Sequence, residues 1–168
     1  MLVLVLKMVE CLLIHYQASE YRMDELKTAI KVLLANATVM YYKAHQFHWN
    51  VEGVEFTQYH EFFGDLYTDV YNSIDPIAEL LRKLDEYTPV SLDELFKYKT
   101  LNEENSRVSD ITGILGSLIK ANEEVYTSLN KVFELATKNK QQGIANFIAD
   151  RIEMHDKHRW FLKASVKK

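Results

Sequence analysis

From Asp24 onward, apolar residues return along the chain at steps of three and four. Leu26, Ile30, Leu33, Leu34, Ala37, Met40, Tyr41 and Ala44 form the first such stripe. That period marks one buried face of a helix, here predicted to run to about Val51 and to be ended by Gly53. A second stripe, Phe62, Phe63, Leu66, Val70, Ile74, Ile77, Leu81 and Leu84, predicts a helix opening near Thr57 as its N-cap. Pro76 falls inside it, which removes one backbone hydrogen bond and allows a kink directly after Asp75. Between Thr88 and Asn105 there is no room for another long helix, yet Ser91 to Tyr98 has the cap and periodicity of a short one, a helical crossover. Ile111, Ile114, Leu115, Leu118, Ile119, Val125, Leu129, Val132, Phe133 and Leu135 then predict a third long helix from about Ser106 to Thr137, and a fourth runs from about Gln141 to Ala164. The expectation is an all-α, four-helix bundle whose second and third helices are joined by a long connection carrying a short helix.

Composition sharpens this picture without changing it. Only 5 Gly and 2 Pro occur in 168 residues, which favours helices over strands and turns. The chain is long enough for one domain with a substantial core, and no internal repeat interrupts it. The first 22 residues stand apart. Leu2 to Leu6 are apolar, but Lys7, Glu10 and His15 break the run, leaving it too short to cross a membrane and without the basic start and cleavage site of a secretory signal. Two readings stay open for residues 1–22: an extension dispensable to a domain at 23–168, with Met23 as a normal start, or an arm docking on a neighbouring subunit. A formal net charge of -4 gives no general attraction to nucleic acid. Cys11 is the single cysteine, which excludes an intrachain disulfide and suggests a reducing, cytoplasmic setting.

The candidate chemistry is a set of two imidazoles and two carboxylates, His48, His60, Asp75 and Glu79, separated by 12, 15 and 4 residues. These are side chains that hold iron or zinc. If His60 and Asp75 share one helix, a rise of about 1.5 Å per residue puts them roughly 22 Å apart, too far for one ion. A shared site must therefore take its histidines from one chain and its carboxylates from another, most simply across a two-fold axis. Asp75 and Glu79, four apart, share a helix face. No Glu-x-x-His pair occurs, so a di-metal site within one bundle core, and with it an enzyme acting on an organic substrate at such a site, is disfavoured. Phosphate-binding glycine loops and nucleophile elbows do not appear either.

Lys43 to Gly53, His60-Glu61-Phe62-Phe63, Asp75 with Glu79, the short crossover helix, and Arg151 and Glu153 through Lys157 and Trp160 resemble the Dps-like mini-ferritins of the ferritin-like superfamily. The likeness covers about Met23 to Ala164, and its specific part is the spacing of the four candidate ligands. It implies a ferritin-like bundle assembled into a hollow dodecamer, with ferroxidase sites on two-fold interfaces. There iron(II) would be oxidised, usually by hydrogen peroxide, and stored as iron(III) mineral, protecting against oxidative damage. His48 and His60 would come from one subunit and Asp75 and Glu79 from its partner. The family's usual acidic ligand four residues after the second histidine is replaced here by Gly64, and Asp65 lies about 100° further around the helix. The resemblance therefore also leaves open a non-catalytic shell, or a DNA-compacting protein, with a degraded second iron site.

Other residues carry less. His45 lies one turn before His48, either behind the ligand or simply packed. His155 and His158 are three apart, a spacing that can trap a stray divalent ion. Trp49 adjoins a candidate ligand, and the resemblance implies an aromatic that intercepts radicals; interface packing is the alternative. Tyr41, Tyr42, Tyr59, Tyr67 and Tyr71 fit interface packing. Where the resemblance would put acidic pores, the start of the last helix offers Gln141, Gln142, Asn146 and Asp150, so pore chemistry is expected to be altered. Direct DNA binding is not expected. From Met23 there is no basic N-terminal tail, and the C-terminus supplies only Lys163, Lys167 and Lys168 for phosphate neutralisation.

Overall fold

The computed structural model describes residues 2–104, 107 and 110–167, and over 2–19 the backbone alone. Five helices follow in order: α1 (Leu2–Asn50), α2 (Phe56–Lys83), α3 (Leu92–Leu95), α4 (Ile111–Lys138) and α5 (Gln142–Ser165). There is no strand among the described residues. α1 packs lengthwise against α2 and α4, α4 against α5, and α2 touches α5 only sparsely. This is the expected four-helix bundle, with α3 set in the long crossover from α2 to α4. The helical backbone of α1 runs without a break from residue 2 through residue 22 into the bundle. The alternative reading of that stretch as a docking arm turns on side chains that lie outside the described residues.

Where element ends differ from the sequence expectation, local hydrogen bonding accounts for it. α2 begins at Phe56, so Thr57 is inside the first turn and is not the N-cap. Gly53 adopts φ 121, and the amide of Phe56 donates to the Gly53 carbonyl at 3.1 Å, so the chain turns into the helix sooner than the Thr57 cap implied. At α4 the cap is Asp110, whose carboxylate accepts from the Gly113 amide at 2.8 Å; the expected start at Ser106 lies outside the described residues. Ser91 caps α3 as expected, accepting from the Glu94 amide at 3.1 Å. α2 stays helical through Pro76. The carbonyl that Pro76 leaves unpaired belongs to the exposed Asn72, where water can serve it.

The core is one cluster, with Leu26, Ile30, Leu33, Met40 and Phe47 of α1 against Phe63, Leu66, Ile77 and Leu81 of α2 and Ile114, Leu115 and Leu118 of α4. The crossover is held to it by buried polar groups. Asn36, fully buried, accepts through Oδ1 from the amides of Thr100 (2.9 Å) and Leu101 (3.0 Å). Its Nδ2 donates to the hydroxyls of Thr100 (2.8 Å) and Ser128 (2.9 Å). One side chain thereby ties α1, the crossover and α4 together. Lys43, nearly buried, donates to Glu104 at 2.6 Å, and Ser117 donates to the same carboxylate oxygen. Burial pushes the Glu104 carboxyl up, but bonding to Lys43 and Ser117 outweighs it and the net shift is downward.

Asn36→Ala is expected to cost roughly 2–3 kcal/mol, because the amides of Thr100 and of the buried Leu101 both lose their acceptor. Chemical denaturation checks this: a loss no larger than that of an ordinary surface substitution means that water replaces the side chain and that the crossover is not held through Asn36.

Candidate metal centre

His48 lies in the last turn of α1 and His60 near the start of α2, so the tight Gly53 turn folds them against each other. Nδ1 of His48 is 2.7 Å from the His60 carbonyl oxygen, and Nδ1 of His60 is 2.9 Å from the His48 carbonyl. A carbonyl only accepts, so each ring carries its proton on Nδ1 and donates it. The rings stack at 3.7 Å between centroids, 24° from parallel. Both Nε2 lone pairs are thus left free as ligands in fixed orientations, the second-sphere arrangement typical of metal-bound histidine.

Asp75 and Glu79 are exposed and lie on the same helix as His60. Fifteen residues of α2 separate His60 from Asp75, roughly 22 Å at helical rise. The structure therefore brings the two histidines together and leaves the two carboxylates on a distant outer face. Neither carboxylate has an ion-pair partner among the described residues. Among those residues no three metal-binding side chains converge.

Gly64 lies beneath His48: a Cβ there would meet Cε1 and Nδ1 of the ring at 3.4 Å, ordinary contact. Asp65 instead lines a cleft of about 330 Å³ between α2 and α5, with Phe62, Asp69, Lys157, His158 and Phe161. It therefore belongs to another face than Gly64.

Two features escaped sequence reading. The first is an aromatic seam that continues from the imidazole pair. Tyr41, His45 and His48 sit at four- and three-residue steps on α1, opposite Tyr71, Tyr67 and His60 on the antiparallel α2. His45 stacks on Tyr67 at 4.0 Å and lies 4.0 Å from Trp49. It is thus packed, and burial followed by the nearby His48 lowers its pKa. The second is a polar clip between α5 and α2. Arg151 makes a two-pronged bond to Asp69 (3.0 and 2.7 Å), and Nε2 of His158 sits 2.7 Å from the same carboxylate. His155, buried, places Nδ1 2.8 Å from Oδ1 of Asn122. Both histidines are thereby committed to internal partners, and the stray-ion reading of His155 and His158 finds no support. The signal for the clip was available only as a polar break in apolar faces, which does not identify its partner.

The bundle also matches known proteins. The ferritin-like domain family matches residues 27–168. The chain belongs to the ferritin-like family. Among its ferritin-like relatives, the DNA protection during starvation protein 2 of Bacillus anthracis is 28% identical over 141 residues, 82% of this chain and 96% of that one. The crystal structure of Dps from Thermosynechococcus elongatus superposes with a TM-score of 0.86 at 27% identity, covering 90% of this chain and 96% of that one. Dps from Vibrio cholerae O1, described as a member of a broad superfamily of ferritin-like diiron-carboxylate proteins, gives a TM-score of 0.81 at 26% identity, over 88% and 92% of the two chains. Dps proteins are thus homologues by sequence and by structure. No described helix is long and apolar enough to cross a membrane.

The α2–α5 region generates a pH prediction. Burial, followed by the charges of His158 and Arg151, holds the His155 pKa down at about 3, against about 6.5 in an unfolded chain. The native ring stays neutral while the unfolded one takes up a proton, so its contribution is intact above about pH 6.5 and is lost as pH falls. Burial raises the Asp69 pKa, but the bonds from His158 and Arg151 overcome this and hold it well below the usual carboxylate range. Its contribution is present above, and lost below, about pH 4. Between about pH 6.5 and 4, His155→Gln should therefore unfold with a shallower pH dependence than the parent; identical slopes would show that His155 does not govern the acid limb.

Proposed function

We propose that this protein binds, oxidises and stores iron, as a ferroxidase in a hollow dodecamer. The observation that carries the reading is the reciprocal pairing of His48 and His60, which occupies both Nδ1 atoms and leaves the two Nε2 atoms available without completing a site. Asp75 and Glu79 of a two-fold partner would complete it; their exposure on the far part of α2 suits that role. Imidazole and carboxylate together accept iron in both its common oxidation states and leave positions for an oxidant. Hydrogen peroxide is the proposed oxidant, so the iron would be consumed as iron(II) and retained as iron(III), protecting the cell from peroxide. A cytoplasmic setting accompanies this reading.

Replacing both His48 and His60 with Ala should abolish rapid peroxide-dependent iron(II) oxidation and leave the assembly intact. Stopped-flow absorbance of iron(III) formation and sedimentation velocity test both halves; unchanged oxidation kinetics, or a wild-type protein that sediments as a monomer, would sink the proposal.

Gly64 favours a weakened second iron position, because among the described residues no carboxylate of the same chain joins the imidazole pair. Anaerobic titration is expected to fill fewer than two iron positions per site, and Gly64→Asp to raise that occupancy. The helix should tolerate the change, since Gly is the poorest helix former after Pro, about 1 kcal/mol below Ala. Tight binding of two iron ions per site in the wild type, before any oxidant, would remove Gly64 as a deficit. Strong DNA binding does not belong to the reading: the net charge is -4, and few tail cations are present to release counterions.

A further inference from the structure

α1 has 49 residues, while α2 and α4 beside it have 28 each. α4 ends where Asn139, its C-cap, donates from Nδ2 to the carbonyl of Arg22 at 3.3 Å, so the helical backbone before Arg22 continues past the end of α4 for roughly 30 Å. Beside that point of departure lies a groove of about 430 Å³ between α1 and α4. We propose that this groove seats an arm from a second copy of the chain, residues 2–16, and that neighbouring subunits are joined by the reach of α1 from one to the other.

The groove is lined mainly by apolar surface, with Ala29 and Val32 of α1 and Leu135 of α4. Ser128 also lines it, but its hydroxyl is already bonded to Asn36 and to the Glu124 carbonyl and needs no partner from an occupant. Along the arm, Leu2, Val5, Val9, Leu12 and Tyr16 alternate at steps of three and four, the seam by which one helix packs between others. Lengths agree: the seam spans roughly 21 Å, and the α1 wall of the groove, from Tyr21 to Val32, roughly 17 Å. Charges agree as well. The arm carries Lys7 and Glu10, and the groove offers Asp24 and Glu25 with Lys131, so each sign has its opposite to meet.

The occupant cannot be the chain's own arm. α1 is helical without a break from Leu2 to Asn50, which holds Leu12 and Val32 of one chain about 30 Å apart. A second copy is therefore required, and the shell proposed above supplies it; the inference rests on that assembly and not on iron oxidation. Docking takes apolar surface of both seam and groove out of water, the driving force for association. Tyr21, a large aromatic left 67% exposed, lines the groove and is covered with it.

The test uses the full chain, in which Cys11 is the single cysteine and falls one residue off the seam. Cys11 is labelled with a maleimide that carries a short photoreactive group, and the assembled protein is irradiated. The expected result is a band of doubled mass on denaturing gels, with the attachment mapped by mass spectrometry to residues 21–32 or 128–135, the walls of the groove. The label cannot reach the groove of its own chain, since Cys11 and Thr28 lie about 26 Å apart along one helix. Thr28→Arg, at an exposed position of the groove, should lose the band without loss of helix content, and Val9→Asp on the arm should lose it too. Attachment to another arm or to a different surface, no attachment at all, or a band that survives either substitution overturns the proposal. Iron(II) oxidation plays no part in these readouts. A shell that oxidises iron but does not cross-link through the groove refutes the arm alone, whereas sedimentation as a monomer refutes both readings.

Discussion

Each ring of the His48 and His60 pair is held by the backbone of the other residue, and the orientation of both imidazoles between α1 and α2 depends on that exchange. The His48 carbonyl, in the last turn of α1 where intrahelical donors run out, receives an imidazole donor in place of water, and the His60 carbonyl, near the start of α2, receives one beside its own helix. The same two bonds choose the tautomer of both rings. Structural satisfaction and ligand preparation are therefore one interaction: removing the His60 imidazole leaves the His48 carbonyl without its donor, and removing either ring leaves the other without its stacking neighbour. This is the sense in which the site is built into the fold and not laid upon it.

The exchange works only if the helices that carry it are fixed elsewhere, and buried polar residues take that part. Asn36 ties the crossover to α1 and α4, and Lys43 with Glu104 and Ser117 repeats the device about two turns along α1. At the opposite seam, where α2 and α5 share little apolar contact, Arg151 and His158 close on Asp69. Such groups tolerate burial because each finds partners, and their directionality sets helix register more sharply than apolar contact alone can.

Helix periodicity was legible because α1, α2 and α4 each bury one face, so Leu26, Ile30 and Leu33, or Phe63, Leu66 and Val70, repeat with the helical period. Helix ends were less legible. Thr57 looks like a cap, yet Gly53 turns the chain early; Asp110 caps α4, but nothing local distinguishes it from other acidic residues in a polar connection. The distance argument along α2 anticipated that His60 and Asp75 do not meet, since it needs only helical rise. The carbonyl partners of His48 and His60, the stacking of His45 on Tyr67 and the Asp69 clip depend on how helices distant in sequence are rotated about their axes, which periodicity does not specify. Asp65 shows the same limit in reverse. One residue's rotation from Gly64 carries it into the α2–α5 cleft, so adjacency in sequence is no guide to shared chemistry.

In the proposed assembly, a centre divided between two chains makes iron binding and subunit association a single linked equilibrium. Asp75 and Glu79 sit four residues apart on one exposed face, so a two-fold contact brings like charges toward an interface, which is unfavourable unless a cation or donor group meets them. Iron bound between these carboxylates and the imidazoles of the facing chain would neutralise that charge and favour the associated state. By reciprocity, association would raise iron affinity by the same factor. An isolated subunit presents two oriented imidazoles without carboxylates and so has little means to hold iron for oxidation. Confining the complete donor set to the assembled shell would keep the oxidation of iron(II) where the product can be enclosed, and it would make the unfinished geometry of the histidine pair a requirement of the proposed function.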